Sequence, residues 1–172
     1  MVKPETPIIG KVWRFGSNIS TDDIISGIHL TKISISELTP FAFEHLRPEF
    51  AKKVQPGDII VADDHFGIGS SREEAPAILH QIGVGAIVAA SFARIFFRNA
   101  YNIGIPAIEL PNLIKDPDLI REGDILEVSL REGILINKST KKIHSFKEIP
   151  SFLLEYLKAG GAIPLLKTKL RT

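Results

Sequence analysis

The stretch Gly67-Ile68-Gly69-Ser70-Ser71-Arg72-Glu73-Glu74 gathers the residue types in this chain best suited to chemistry. Two glycines bend the chain and two adjacent serines offer hydroxyls. Arg72 offers a planar fork that matches a carboxylate or a phosphate. The apolar run at 58–63 comes first, so the order reads strand, glycine loop, helix beginning near Arg72. Backbone N–H groups at a helix N-terminus favour an anion. The loop is therefore suited to hold a small anionic ligand beside a serine hydroxyl. The same letters also carry a structural reading. Ser70 with Glu73, and Ser71 with Glu74, each fit the Ser-x-x-Glu capping box, which any helix can use. Three other phosphate or nucleophile motifs do not fit. No Gly-Lys-Ser/Thr follows the glycines, the third glycine of a dinucleotide fingerprint is missing, and there is no Gly-x-Ser-x-Gly elbow.

The elements that must position this loop alternate along the chain. Residues 8–15 alternate enough for a first strand, followed by a polar, turn-rich loop over 16–23. Residues 28–36 show no clean period, and 37–50 carry short helical turns interrupted by Pro40 and Pro48. A strand at 59–62, a helix at 73–82 stopped by Gly83, and a continuous apolar strand at 86–90 come next. A second helix over 92–102 and a strand over 105–110 complete a strand–helix–strand pattern, which implies parallel pairing through crossovers. The last third changes character. Residues 124–130 and 134–137 flank Arg131-Glu132-Gly133 as a hairpin, 143–146 adds a strand, and a final helix from Pro150 to Leu157 ends at Gly160-Gly161. The fold class is mixed α/β with an antiparallel portion.

Composition narrows the functional classes. A chain of 172 residues suits one domain, and at this size roughly 70% of the unfolded surface is buried on folding. The net charge of +1, with no long basic run, argues against a nucleic-acid binder driven by bulk electrostatics. There are no cysteines, so this chain can form no disulfide and ligate no iron–sulfur cluster through thiolates. The first residues lack the apolar core of a signal peptide, and no segment reaches the ~20 apolar residues of a membrane span. The expectation is a soluble cytoplasmic protein. His45, His65, His80 and His144 are scattered and lack the companions of a metal site.

Three separated stretches then stand in order: Ser20-Thr21-Asp22, the loop Gly67 through Glu73, and Ser91-Phe92-Ala93-Arg94-Ile95-Phe96-Phe97-Arg98-Asn99, with Gly160-Gly161 closing. Over nearly the whole chain, from about Gly10 to Pro164, this set resembles the small subunits of the aconitase superfamily. The likeness is strongest to archaeal-type 3-isopropylmalate dehydratases. The resemblance implies residues 1–172 as one swivelling domain, a three-layer β/β/α structure with a mixed sheet and a C-terminal helix. It implies a large subunit that carries a [4Fe–4S] cluster, with no metal and no cofactor held by this chain. It also implies site residues. Ser70 corresponds to a serine base that removes a proton next to a carboxylate, and Asp22 to an active-site aspartate. Gly69, Ser71 and Arg72 correspond to the groups around a substrate carboxylate. Without the resemblance, Ser20-Thr21-Asp22 reads equally as an Asx or ST turn. Arg94 and Arg98, at i and i+4, read as support for the fold or a subunit contact.

Two departures from that pattern stand out. Ile68 sits where many relatives have cysteine, which removes an oxidisable thiol. His29-Leu30-Thr31-Lys32 occupies the segment that distinguishes substrates in such enzymes, and it matches neither Tyr-Leu-Val-Tyr nor Tyr-Leu-Arg-Thr. Lys32 can pair with an extra carboxylate. Alternatively, Leu30 and Ile33 wall an alkyl group, with Lys32 in solvent and His29 on the surface or in a lid. The expected function is dehydration and rehydration of a malate-type hydroxy dicarboxylate in leucine biosynthesis, with isopropylmalate first and homoaconitate, methylmalate or dimethylmalate as alternatives. The expected partner is the large subunit, with no nucleic acid and no membrane. The isolated chain is open to self-association through its uncovered interface. An RNA-binding regulator and a free-standing carboxylate binder are the readings from other classes.

Overall fold

The computed structural model describes residues 4–31 and 34–170. Strands β1 (Ile8–Arg14), β2 (Ile59–Ala62), β3 (Ala86–Ala89) and β4 (Ala107–Glu109) pair in parallel. On its other edge β1 pairs antiparallel with β5 (Ile125–Ser129), which continues to β6 (Ile134–Asn137) and β7 (Lys142–Ser145). The order across the sheet is β4-β3-β2-β1-β5-β6-β7. The helices, in chain order, are α1 (Thr21–Ile24), α2 (Ile35–Leu38), α3 (Phe50–Lys53), α4 (Glu74–Ile82), α5 (Arg94–Ile103), α6 (Asn112–Lys115), α7 (Ser151–Ala159) and α8 (Ala162–Lys169). Among them α4 packs on α5, and α5 packs on α7 and α8. This is the mixed α/β arrangement the sequence pattern implies.

The burial pattern explains the split into two halves. Every residue of β2 and β3 is buried, as expected of parallel strands covered on both faces. In β5 only Leu126 and Val128 are buried, so the antiparallel half keeps one wetter face. Trp13, Phe15, Phe43 and Phe50 form an edge-to-face and tilted aromatic cluster beneath the first loops. Each such ring contributes on the order of 2 kcal/mol by leaving water. The buried Asp58 accepts hydrogen bonds from Trp13 Nε1 (2.9 Å) and the Gln55 N–H (2.9 Å), tying the start of β2 to β1.

Several boundaries differ from the sequence expectation. The helix expected at 92–102 begins only at Arg94, because Phe92 is held in a parallel bridge to Phe66. The helix ending at Gly160-Gly161 is not the last: Gly160 adopts φ 79°, and α8 follows at Ala162. Pro164 is tolerated there in the first turn, and α8 buries none of its residues, so no apolar period marks it. The loops that follow β1, β2 and β3 all leave from the carboxyl ends of the parallel strands, which is where α/β sheets bind ligands.

Candidate active site

Two loops are zipped together at that edge. The Ile19 carbonyl accepts from the N–H groups of Gly67 (2.7 Å) and Ile68 (3.2 Å), and the Thr21 N–H donates to the Ile68 carbonyl (2.8 Å). A parallel bridge joins Ser20 to Ile68. The glycines allow this geometry. Gly67 has φ 79°, and a Cβ there would lie 2.2 Å from Phe96 Cγ, so no side chain fits. Gly69 has φ 98° and presses its backbone toward Thr21 Oγ1.

The serines do not cap a helix. α4 starts at Glu74, one residue after the expected start, and its N-cap residue Glu73 makes no side-chain cap. The Ser70 carbonyl, which an earlier helix start would need, is occupied, accepting from the Arg72 N–H (2.8 Å) and Thr21 Oγ1 (3.1 Å). The Ser70 Oγ lies 3.4 Å from Thr21 Oγ1. Ser70 and Ser71 are exposed, and among the described residues their N–H groups donate to no acceptor. The anion-attracting groups beside the hydroxyls therefore belong to the loop itself, not to the first turn of α4. The capping box forms instead at Ser20, whose Oγ accepts from the Asp23 N–H while the Asp23 carboxylate accepts from the Ser20 N–H. This settles the Ser20-Thr21-Asp22 turn in favour of a cap made by Ser20 and Asp23, and leaves Asp22 outside it.

Asp22 reaches across to Arg72. Arg72 Nη1 donates to Asp22 Oδ1 (2.5 Å) and to the Ile25 carbonyl (3.0 Å). Nη2 lies against Gly27, where an added Cβ would stand 3.2 Å away. The Arg72 side chain is only 18% exposed while Asp22 is 58% exposed, so the guanidinium is buried into a cradle with the carboxylate on its wet side. Nη1 has spent both of its hydrogens. Among the described residues Nε and Nη2 donate to nothing, which leaves a side fork suited to a bidentate carboxylate.

The remaining expectations separate. Leu30 is partly buried and packs against the core. Thr31 is exposed, while Lys32 and Ile33 lie outside the described residues. Among the described residues of this segment, the exposed apolar side chain is Ile28, at 72%. His29 is not a loose surface group: its ring stacks on Phe41 and its Nε2 meets Glu44 Oε1 at 2.6 Å. His65 pairs with Asp64 through Nδ1 (2.8 Å) and stays largely exposed. Arg94 and Arg98 are exposed on the rim of a ~460 Å³ groove between α5 and α7 that neither serine lines. Sequence reasoning missed Thr21, Ile25 and Gly27 as contributors. Thr21 had only its place beside Asp22 to mark it, and the other two act through backbone atoms that no side-chain pattern reports.

Among the described residues no group of three or more histidines, aspartates and glutamates gathers to hold a metal. With no cysteine in the chain, the donors an iron–sulfur cluster needs are not here. No helix among the described residues is long and apolar enough to cross a membrane.

Comparison with known proteins gives the family. Residues 39–113, which include the serine loop, match the family model described as the aconitase C-terminal domain. The 3-isopropylmalate dehydratase small subunit 1 of Thermotoga maritima is 52% identical over 162 residues, covering 93% of this chain and 95% of the relative. The isopropylmalate/citramalate isomerase small subunit of Methanocaldococcus jannaschii is 44% identical, covering 95% of each chain. A crystal structure of 3-isopropylmalate dehydratase from that archaeon superposes with a TM-score of 0.88 at 36% identity, covering 96% of each chain. The chain belongs to the family of 3-isopropylmalate dehydratase small subunits in the aconitase superfamily.

Proposed function

We propose that this chain is the small subunit of a heteromeric hydro-lyase that interconverts 2-isopropylmalate and 3-isopropylmalate in leucine biosynthesis. The observation that carries the reading is the meeting, at one open edge, of an uncapped Ser70 and an Arg72 whose side fork is unspent. In this reading Arg72 grips one substrate carboxylate through Nε and Nη2, while Ser71 and the N–H groups of the loop add further donors. Ser70 oxygen, as the alkoxide, takes the proton from the carbon next to a carboxylate. Hydroxide leaves the neighbouring carbon, becomes water by taking a proton from a general acid that the partner subunit would supply, and isopropylmaleate forms. Water then adds back with the hydroxyl and the proton exchanged between the two carbons. Thr21 Oγ1, 3.4 Å from Ser70 Oγ, would stabilise the alkoxide by turning its proton from the Ser70 carbonyl, and the unspent N–H groups of the loop would add to it once water is excluded. Asp22 orients Arg72. The cluster would be held by the large subunit, where it supplies a Lewis acid for the leaving hydroxyl.

Ile28 supports an alkyl-bearing substrate over one with an additional carboxylate such as homoaconitate. It offers apolar surface next to Gly27, which touches the guanidinium. Citramalate is the second reading, favoured by the relative named for both acids. The test is co-expression with candidate large subunits, followed by turnover assays on isopropylmalate, citramalate and homoaconitate. The pair is expected to be active on isopropylmalate and the isolated chain inactive. Turnover by the isolated chain in metal-free buffer, or a pair active only on homoaconitate, would overturn the assignment.

A further inference from the structure

We infer that His29 is a positioning residue for the acid-binding site, acting on Arg72 through the turn Gly27–His29. The inference rests on the proposed function only in taking Arg72 as the carboxylate grip. The turn and the residues just before it form one wall of the arginine cradle: the Ile25 carbonyl accepts from Nη1, and Gly27 lies against Nη2. Within the turn the hydrogen bonds are local, from the His29 N–H to the Ser26 carbonyl (3.1 Å) and from the Leu30 N–H to the Gly27 carbonyl (3.2 Å). Such bonds shape the turn without fixing it to the body of the protein.

Leu30 packs against the core just after the turn, and within the turn the His29 side chain supplies the attachment. Its ring stacks on Phe41 at 3.9 Å and 21°, and Nε2 meets Glu44 Oε1 at 2.6 Å. It is only 16% exposed, although its neighbour Ile28 is 72% exposed. The receiving segment is itself rooted. Between Phe41 and Glu44 lies Phe43, fully buried against Phe15 and Phe50, with its N–H donating to the Ile24 carbonyl at 3.0 Å. Glu44 also lies 3.4 Å from His45 Nε2, a more exposed second partner. A chain of contacts thus runs from the aromatic core through Glu44 and Phe41 to His29, and from the turn to Arg72 and Ile28. Ser70 is held by Thr21, by the Arg72 backbone N–H and by the zipped loops, none of which involves the guanidinium. Loosening the clamp should weaken acid binding and substrate choice while leaving proton transfer alone.

The test uses the assembled two-subunit enzyme with His29→Ala, Glu44→Ala and the double variant. Each single change is expected to raise KM for isopropylmalate about ten-fold with kcat within about two-fold, and to narrow the preference for isopropylmalate over citramalate. The double variant should be little worse than either single one, because the pair acts as a unit. Unchanged KM and selectivity, a fall in kcat alone, or effects that multiply in the double variant would each overturn the inference. Amide hydrogen exchange on the full isolated chain separates this from the function itself. The Leu30 N–H should exchange at least several-fold faster in His29→Ala than in wild type whatever the substrate proves to be. An unchanged rate would sink the clamp even where the enzyme assignment stands.

Discussion

Ser20 and Ser70 share a local pattern, a serine followed three residues later by an acid, and the molecule uses them in opposite ways. At Ser20 the pattern closes into a reciprocal cap with Asp23 at the start of α1. At Ser70 it does not close, although Glu73 stands in the same place and a longer helix follows. The difference comes from the chain before each serine. Gly67 and Gly69 both take positive φ, and Thr21 and the Arg72 N–H together occupy the Ser70 carbonyl, so α4 cannot begin until Glu74. A cap was available and the fold forgoes it. The stabilisation given up, about 1 kcal/mol, leaves a hydroxyl exposed beside a guanidinium. The two serines also depend on each other: the cap at Ser20 fixes α1, and α1 carries the Thr21 hydroxyl that meets Ser70.

That contrast can be broken or sharpened by mutation. The largest effect is expected at Ser70→Ala, which should lower kcat of the assembled enzyme by about 10²–10⁴-fold. Its thermal midpoint should stay within about a degree of wild type, since no cap is lost. A destabilised protein with near-normal turnover would mean that Ser70 is the structural serine after all. Next is Gly67→Ala. The new Cβ would collide with Phe96 and sit at an unfavourable φ, so a loss of about 3 kcal/mol is expected in urea unfolding. A neutral result would show that the loop and α5 pack less closely than described. Arg72→Lys keeps the charge but removes the fork, and should raise KM roughly ten-fold with a smaller change in kcat. An unaltered KM would remove Arg72 from substrate binding. Ser20→Ala should cost about 1 kcal/mol of stability, visible in the same unfolding assay. Activity should fall only as far as Thr21 is displaced, so a loss as large as that of Ser70→Ala would erase the distinction between the two serines.

The smallest effect concerns pH. Burial holds the His80 imidazole below its ordinary pKa, and burial with Lys142 nearby does the same for His144 against the opposing pull of Asp116. The folded state therefore binds fewer protons than the unfolded one under acid conditions. Stability should be complete above the ordinary imidazole value of about 6.5, and should fall as pH drops from there through the lowered folded values. A thermal midpoint that declines on acidification, with a shallower decline in His80→Gln, is the expected result. A midpoint flat between pH 7.5 and 5 would contradict it.

The sequence was most legible where one physical cause dominates. Continuous apolar runs marked β2 and β3 to within a residue, because both faces of each strand are buried. Gly83 and Gly104 marked the ends of α4 and α5 because each adopts the left-handed conformation there. The site was legible as letters but not as geometry. Asp22 and Arg72 are fifty positions apart, and nothing local announces their ion pair. The choice between cap and free hydroxyl at Ser70 depends on a carbonyl held by Thr21 from another loop. Leu30 and Ile28 could not be sorted into core and surface in a segment without a period. α8 went unseen because it buries no residue and so leaves no periodic trace.

Phe96 fills the space a side chain at position 67 would need, and it does so from one turn into α5. With no slack between ring and backbone, the long helix and the serine-bearing bend form a single mechanical piece. A force applied by any neighbour to the outer surface of α5 would be delivered to the serine-bearing edge, as a lever delivers force at its tip.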